Sequence, residues 1–223
     1  MTRLSRNVLE ETLVKRPLHE LFALREASDA DKSWIIDLAE ELAEVTVPPL
    51  RGVWGEQARL FARTSITNLL PYAKSGVIRF LVATDRETNE RVGYLILNMH
   101  HEGPFEERET YIEDMGVVSD YLGKRVGHFL TDQAARLSAE AGVDYLGAHV
   151  SFANRRALLA ALGNGFELES YRIVRPCSDR AQQATSESEA ALERQEQNEK
   201  MRRTLLSRRI KRRQRRKSRK RNS

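Results

Sequence analysis

The parts of this 223-residue chain best suited to chemistry are a carboxylate in mid-strand, Glu113, and the glycine-bearing turn that follows it. Tyr111 to Gly127 reads Y-I-E-D-M-G-V-V-S-D-Y-L-G-K-R-V-G, which orders a strand, a turn and a helix start. A carboxylate between apolar neighbours is costly unless it has a role or a partner, and a carboxylate is a side chain that can take a proton from a reacting group. The helix start presents unpaired N–H groups and the positive end of the helix dipole. Gly123 and Gly127 let a phosphate approach the backbone closely. Together these are the parts of a cradle for a pyrophosphate. The helix itself is expected from about Val126 to Ala141. Its apolar residues Val126, Leu130, Ala134, Leu137 and Ala141 recur at spacings of three and four, so one face packs on a sheet while the amino end stays open.

Two nucleotide-binding patterns do not fit. A P-loop needs a lysine followed by Ser or Thr, and here Lys124 is followed by Arg125; a dinucleotide fold needs three spaced glycines and an acidic residue after the next strand. The stretch instead resembles the acetyl-CoA motif of the GNAT superfamily of N-acetyltransferases. That motif is Arg/Gln-x-x-Gly-x-Gly/Ala after a strand of the form aromatic-x-Glu-Asp-apolar-x-Val. It falls here on Leu122, Gly123, Lys124, Arg125, Val126 and Gly127. Leu122 replaces the first basic or amide residue and Arg125 the first glycine, so only Gly127 matches strictly. The cradle works through backbone N–H groups, which Arg125 retains. A second segment agrees: the apolar run Tyr145–Ser151, then Asn154 and Ala157, a helical pattern to Leu162, and Gly165-Phe166 opening an apolar stretch to Val174. The superfamily carries strand, Asn-x-x-Ala, helix, Gly-Phe and strand at these spacings.

The resemblance implies an α/β fold with a mixed central sheet flanked by helices, and transfer of an acetyl group from acetyl-CoA to an amine. It implies that Gly123, Lys124, Arg125, Val126, Gly127 and His128 face the pyrophosphate. Val117 and Val118 would pair with the pantetheine through their backbone, and Asn154 would hold its arm. Glu113 matches a glutamate of the polyamine acetyltransferases and would be the general base; a carboxylate held in a salt bridge is the other reading. Alternation puts Glu113 on the face of Tyr111 and Met115, with Asp114 pointing the other way. Many members place a Tyr seven residues after the Asn, where this chain has Ala161. The proton for the leaving thiolate must then come from another group such as Tyr121, Tyr145 or Tyr171, or from water, or turnover is slow.

The elements that would position these residues are also legible. Phe22–Glu26 reads as a first strand, Ala27-Ser28-Asp29 as a helix cap, and Trp34, Ile35, Leu38, Ala39 and Leu42 as a helix face. Ile78–Thr84 and Arg91–Met99 are apolar runs joined by D-R-E-T-N-E, a hairpin. His100 and His101 end the second run as hairpin-edge residues, Glu102, Glu106, Glu107 and Glu109 form an acidic loop, and His149 lies in the fifth strand. V-P-P-L-R-G-V-W-G falls where the superfamily has its substrate loop.

Three parts are expected: an arm at 1–20, the GNAT domain at 21–176 and a basic extension at 177–223. A domain of that length buries roughly 70% of its extended-chain surface. No apolar run approaches the ~20 residues of a membrane span, and Met1–Pro17 has no apolar block of a signal peptide. The single cysteine, Cys177, excludes an internal disulfide and a four-cysteine zinc site; no His/Asp/Glu spacing supports a metal site. A cytoplasmic protein is expected, of a subunit number the sequence leaves open. Residues 177–223 hold 16 Lys/Arg against 6 Asp/Glu, a net +10 against +5 for the whole chain, which leaves −5 for residues 1–176. Ala181–Ile210 is rich in helix formers, with Glu196/Lys200 and Glu199/Arg203 four apart. From Lys200 onward there are 14 basic residues and no acid, which points to RNA, the ribosome or another polyanion without sequence-specific readout, since the run has no aromatics to stack bases. Two functional readings follow: an N-acetyltransferase acting on an amine, or a catalytically weak acetyl-CoA-binding module whose tail carries the function.

Overall fold

Long apolar runs separated by short turns build a sheet buried on both faces. The computed structural model describes residues 16–46, 53–104, 106–151, 154–170, 175, 177–179 and 182–183. The chain divides into two units, Met1–Thr46 with Gly55–Glu169, and Val47–Trp54 with Ser170–Ser223. In the first unit the elements run α1 (Leu18–Leu21), β1 (Phe22–Glu26), α2 (Asp29–Thr46), α3 (Gly55–Leu69), β2 (Ile78–Asp85), β3 (Arg91–Glu102), β4 (Arg108–Val117), α4 (Val126–Glu140), β5 (Leu146–Ala148) and α5 (Arg155–Gly163). The sheet order is β1-β2-β3-β4-β5. The first four strands pair antiparallel and β4 pairs with β5 in parallel. This is the mixed α/β architecture that the sequence implied. In the second unit, the Gln182 amide donates to the Ser178 carbonyl at 2.9 Å. The helix and basic run expected over Ala181–Ile210 and 200–223 otherwise lie outside the described residues.

β3 is buried without a break from Val92 to Leu97, because helices cover both faces of the sheet. On one face α4 brings Val126, Phe129, Leu130, Ala134 and Leu137 against Leu95, Leu97 and Ile112. Burial of that stripe is worth about 25 cal/mol per Å² of apolar surface. On the other face α2 buries Ile35, Leu38, Ala39 and Ala43. Trp34 of α2 meets the Tyr94 ring edge-on at 6.4 Å. α2 starts where expected: Asp31 reaches back to accept bonds from the Ser28 amide (2.8 Å) and hydroxyl (2.6 Å), and a forked pair of bonds from Arg25 (2.7 and 3.1 Å).

Two segments differ from expectation. β5 spans three residues instead of seven, and Phe166–Ser170 forms no strand; Tyr171–Val174 lies outside the described residues. β5 is the edge strand, where apolar content alone does not supply a hydrogen-bonding neighbour.

Candidate active site

The fork between β4 and β5 opens at one point. The parallel pairing covers only Thr110↔Leu146, Tyr111↔Gly147 and Ile112↔Ala148, so past Ile112 the outer edge of β4 is left uncovered among the described residues. On its inner side, Val117 stands opposite Gly93, and the next amide, Val118 N–H, donates to Val92 O at 3.0 Å. In an antiparallel ladder that alternation turns the Val117 N–H and C=O outward, to the open edge. The Val118 carbonyl accepts the Tyr121 amide at 2.9 Å. Of the two valines expected to pair with a pantetheine, Val117 thus presents its backbone to the edge while that of Val118 is engaged.

The open edge leads to the start of α4. The turn is closed by Leu122 N–H to Ser119 O (3.2 Å) and Lys124 N–H to Tyr121 O (3.1 Å). Gly123 adopts φ +83°, and Arg125, the residue before the helix, adopts φ 70°, ψ 15° with no side-chain cap. A left-handed non-glycine residue is uncommon and costs of order 1–3 kcal/mol. The first bond into the helix is Phe129 N–H to Arg125 O at 3.0 Å, which leaves the amides of Val126, Gly127 and His128 without an intrahelical acceptor. A Cβ built on Gly123 or Gly127 meets nothing within 4 Å. The space before these amides is therefore open to an anion, and the residues present fit a pyrophosphate. The Lys124 ammonium lies 4.1 Å from the Tyr121 ring centroid. The Tyr121 hydroxyl donates to Asp85 (3.2 Å) or Glu90 (3.3 Å), which ties the turn to the β2–β3 hairpin. The His128 ring contacts Asn164 Oδ1 and stands 3.5 Å from Asp132, so its backbone amide is the part that belongs to the cradle.

Glu113 sits on a β-bulge. Ile96 pairs with Asp114 and Leu97 with Ile112, so Glu113 is an extra residue with no partner on β3. Strict alternation fails there. Ile112 and Met115 both join the core under α4, whereas Glu113 accepts a bond from Asn98 Nδ2 at 2.9 Å and Asp114 accepts one from the Tyr94 hydroxyl at 3.0 Å. Asn98 and Tyr94 lie on the same face of β3, the one opposite α4. The expectation that Asp114 points away from Glu113, and that Met115 shares its face, is corrected: both carboxylates occupy one face. Glu113 is exposed and amide-bonded; Asp114 is enclosed, and burial pushes its carboxyl up, against the bonds from Tyr94 and the Met115 amide.

A second titratable group borders it on the same face. Glu109 is 8% exposed, 3.4 Å from His101 Nε2. Burial pushes its carboxyl up, His101 pulls it down, and Glu107 and Glu169 push it up again. His101 stacks on Tyr111 at 4.3 Å between centroids. Neither His101 nor Glu109 is the solvated hairpin residue expected; the strand pairing that brings His101 opposite Glu109 spans a second register shift. His100 is exposed, and His149 lies one residue past β5.

Asn154 caps α5, its side-chain oxygen accepting the Ala157 amide at 3.1 Å, which leaves its amino group for a ligand. Ala161 presents only a methyl group. Of the tyrosines considered in its place, Tyr121 is bonded to the hairpin carboxylates and Tyr145 is 65% exposed ahead of β5; Tyr171 lies outside the described residues, as do residues 47–52 of the expected substrate loop. Tyr111 escaped the sequence reading, although its spacing from Glu113 in Y-I-E-D was a signal for it. No helix among the described residues is long and apolar enough to cross a membrane.

The model of the acetyltransferase (GNAT) family matches residues 22–166. No curated protein matches the chain in sequence. Solved structures share the fold. The PaiA N-acetyltransferase from Thermoplasma acidophilum, in complex with coenzyme A, is 19% identical over 68% of this chain and 92% of its own, with a TM-score of 0.55. An aminoglycoside 6'-N-acetyltransferase from Acinetobacter haemolyticus is 13% identical over 70% and 98%, with a TM-score of 0.51. A transcriptional regulator from Bacillus halodurans C-125 is 16% identical over 70% and 99%, with a TM-score of 0.54. The chain belongs to the GNAT acetyltransferase family, and is an N-acetyltransferase that uses acetyl-CoA as its donor.

Proposed function

We propose that Glu113 is the general base of acetyl transfer to an amine acceptor, a small molecule or a protein, presented in the fork between β4 and β5. The observation that carries this is the bulge, which places an exposed carboxylate one residue past the point where β5 stops pairing with β4. An acceptor amine is protonated near neutrality and must lose that proton to attack. Val117 would pair through its backbone with the pantetheine, Asn154 would hold the arm, and Gly123, Lys124, Arg125, Val126, Gly127 and His128, with Val118 behind them, would shape the pyrophosphate end. The Lys124 amide is already bonded to Tyr121 O, so its ammonium is the group it adds there. Thiol release from acetyl-CoA measured across amine classes tests the reaction. Glu113→Gln lowers acetyl transfer tenfold or more with little change in cofactor affinity, since the role is proton removal; intact activity makes Glu113 structural.

The basic run at 200–223 would bind RNA or the ribosome, so that the acceptor is an RNA- or ribosome-associated amine. The 14 positive charges without an acid support this. The setting proposed is cytoplasmic, consistent with one unpaired cysteine, Cys177. A second reading, a catalytically weak acetyl-CoA-binding module whose tail carries the function, is favoured by Ala161, which has no proton to give. Thiol release that stays at the uncatalysed rate with every amine, while acetyl-CoA still binds, selects it.

A further inference from the structure

Proton donation to the leaving thiolate by the protein itself needs an acidic side chain in the fork, and Ala161 does not supply one. Five tyrosines of the first unit can be placed. Tyr72 is 55% exposed in the short turn Leu70–Ala73 between α3 and β2. Tyr94 is 1% exposed with its hydroxyl on Asp114, Tyr121 has its hydroxyl on Asp85 or Glu90, and Tyr145 projects to solvent. Tyr111 remains. It stands opposite Gly147 in the last stretch where β4 and β5 pair, and on the face that carries Glu113. The two residues are two positions apart on β4, and the bulge at Glu113 brings its side chain to the face of Tyr111.

The ring is held on two sides. His101 stacks on it with centroids 4.3 Å apart and planes at 25°. A Cβ at Gly147 would come within 2.9 Å of Tyr111 Cδ2 and 2.8 Å of Glu109 Oε1, so the glycine makes room for the ring against β5. Among the described residues the Tyr111 hydroxyl has no hydrogen-bond partner, whereas those of Tyr94 and Tyr121 do. A half-buried phenol fixed by its ring and free at its oxygen suits a ligand.

We infer that Tyr111 is the general acid of this enzyme, donating its phenolic proton to the thiolate sulfur as the acyl C–S bond breaks. The inference rests on the reading of the fork as the site of acetyl transfer. In the step, the amine nitrogen forms the new N–C bond and gives its proton to Glu113. The C–S bond breaks, its electron pair stays on sulfur, and the phenolic proton moves to that sulfur. The Tyr111 phenolate recovers a proton from Glu113 or from water, so one amide, one thiol and the proton of the original ammonium balance the reaction. Burial, then Glu113 and Glu109, push the phenol above its ordinary value and keep it protonated at neutral pH. The charged groups around it are Glu109 and Glu113 on β4 and His101 on β3, with Glu107 and Glu169 adding to the field at Glu109.

The test uses the full chain with acetyl-CoA and an amine that wild type acetylates. Tyr111→Phe should lower kcat about a hundredfold or more, within the range of general acid catalysis, and leave acetyl-CoA affinity by calorimetry unchanged. A fluorinated tyrosine at 111, which keeps the ring and lowers its pKa, should fold as wild type and move the alkaline limb of the kcat profile to lower pH. A limb that stays in place, or a folded Tyr111→Phe with kcat within threefold of wild type, overturns the assignment while leaving acetyl transfer standing. A wild type that releases no thiol with any amine overturns both.

Discussion

Replacing Tyr94 with Phe removes one oxygen from an enclosed polar contact and leaves the ring where it is. Tyr94 is 1% exposed, edge-on to Trp34, and its hydroxyl donates to Asp114 at 3.0 Å; the other Asp114 oxygen accepts the Met115 amide at 2.8 Å. Apolar packing is conserved, so the cost is the acceptor left unmet, about 1–3 kcal/mol. At about 2–4 °C per kcal/mol for a chain of this size, the Tm falls by about 2–12 °C. The pH dependence has a definite sign. Burial holds the Asp114 carboxyl above its ordinary value and the Tyr94 bond holds it down, so the substitution raises it further. A carboxyl whose folded pKa exceeds its unfolded value, about 3.9, costs stability as pH rises from the latter through the former. The deficit of Tyr94→Phe is therefore smallest in acid, where Asp114 is protonated in both proteins, and widens until Asp114 is ionised. Thermal melts from pH 4 to 8 measure it. A variant that melts with wild type throughout, or with the same deficit at both ends, refutes an enclosed Tyr94–Asp114 hydrogen bond.

Acetyl-CoA at a hundredfold excess over its Kd stabilises the protein by about 2.7 kcal/mol, read as a thermal shift; a bulky residue at Gly127 removes the shift and leaves the apo melting point, because a Cβ there enters open space. Asp31, held well below the usual carboxylate range by Arg25 and, against the opposing effect of burial, by Ser28, contributes stability that is full above about pH 4 and is lost as pH falls further; urea unfolding of Asp31→Asn should show a flatter acid limb than wild type, and parallel limbs would contradict the pairing. If the tail meets RNA, log affinity falls linearly with log salt with a slope of about −0.7 to −0.9 per phosphate neutralised, and deleting Lys200–Ser223 abolishes binding without touching the acetyl-CoA shift; equal RNA binding by the truncated protein disproves the role.

Much of the scaffold was determined by local pattern alone. The stripe Val126, Leu130, Ala134 and Leu137 states a helix with one apolar face, and it forms over Val126–Glu140 against the sheet. The turn at Gly123 and the uncapped helix start follow from residues adjacent in sequence, and so does the α2 cap at Ser28 and Asp31. What only the tertiary structure decided is which side chains share the fork. Alternation along β4 predicts that Asp114 faces away from Glu113, but the pairing of β3 with β4 skips Glu113, and a register shift is a property of two strands that neither carries in its own residues. The same pairing seats His101 on Tyr111 and beside Glu109, contacts between residues eight to ten positions apart whose meeting depends on a second shift. The length of β5, and hence where the fork opens, depends likewise on what lies beside it. Periodicity records which face of an element is apolar; only the register between elements decides which polar groups meet.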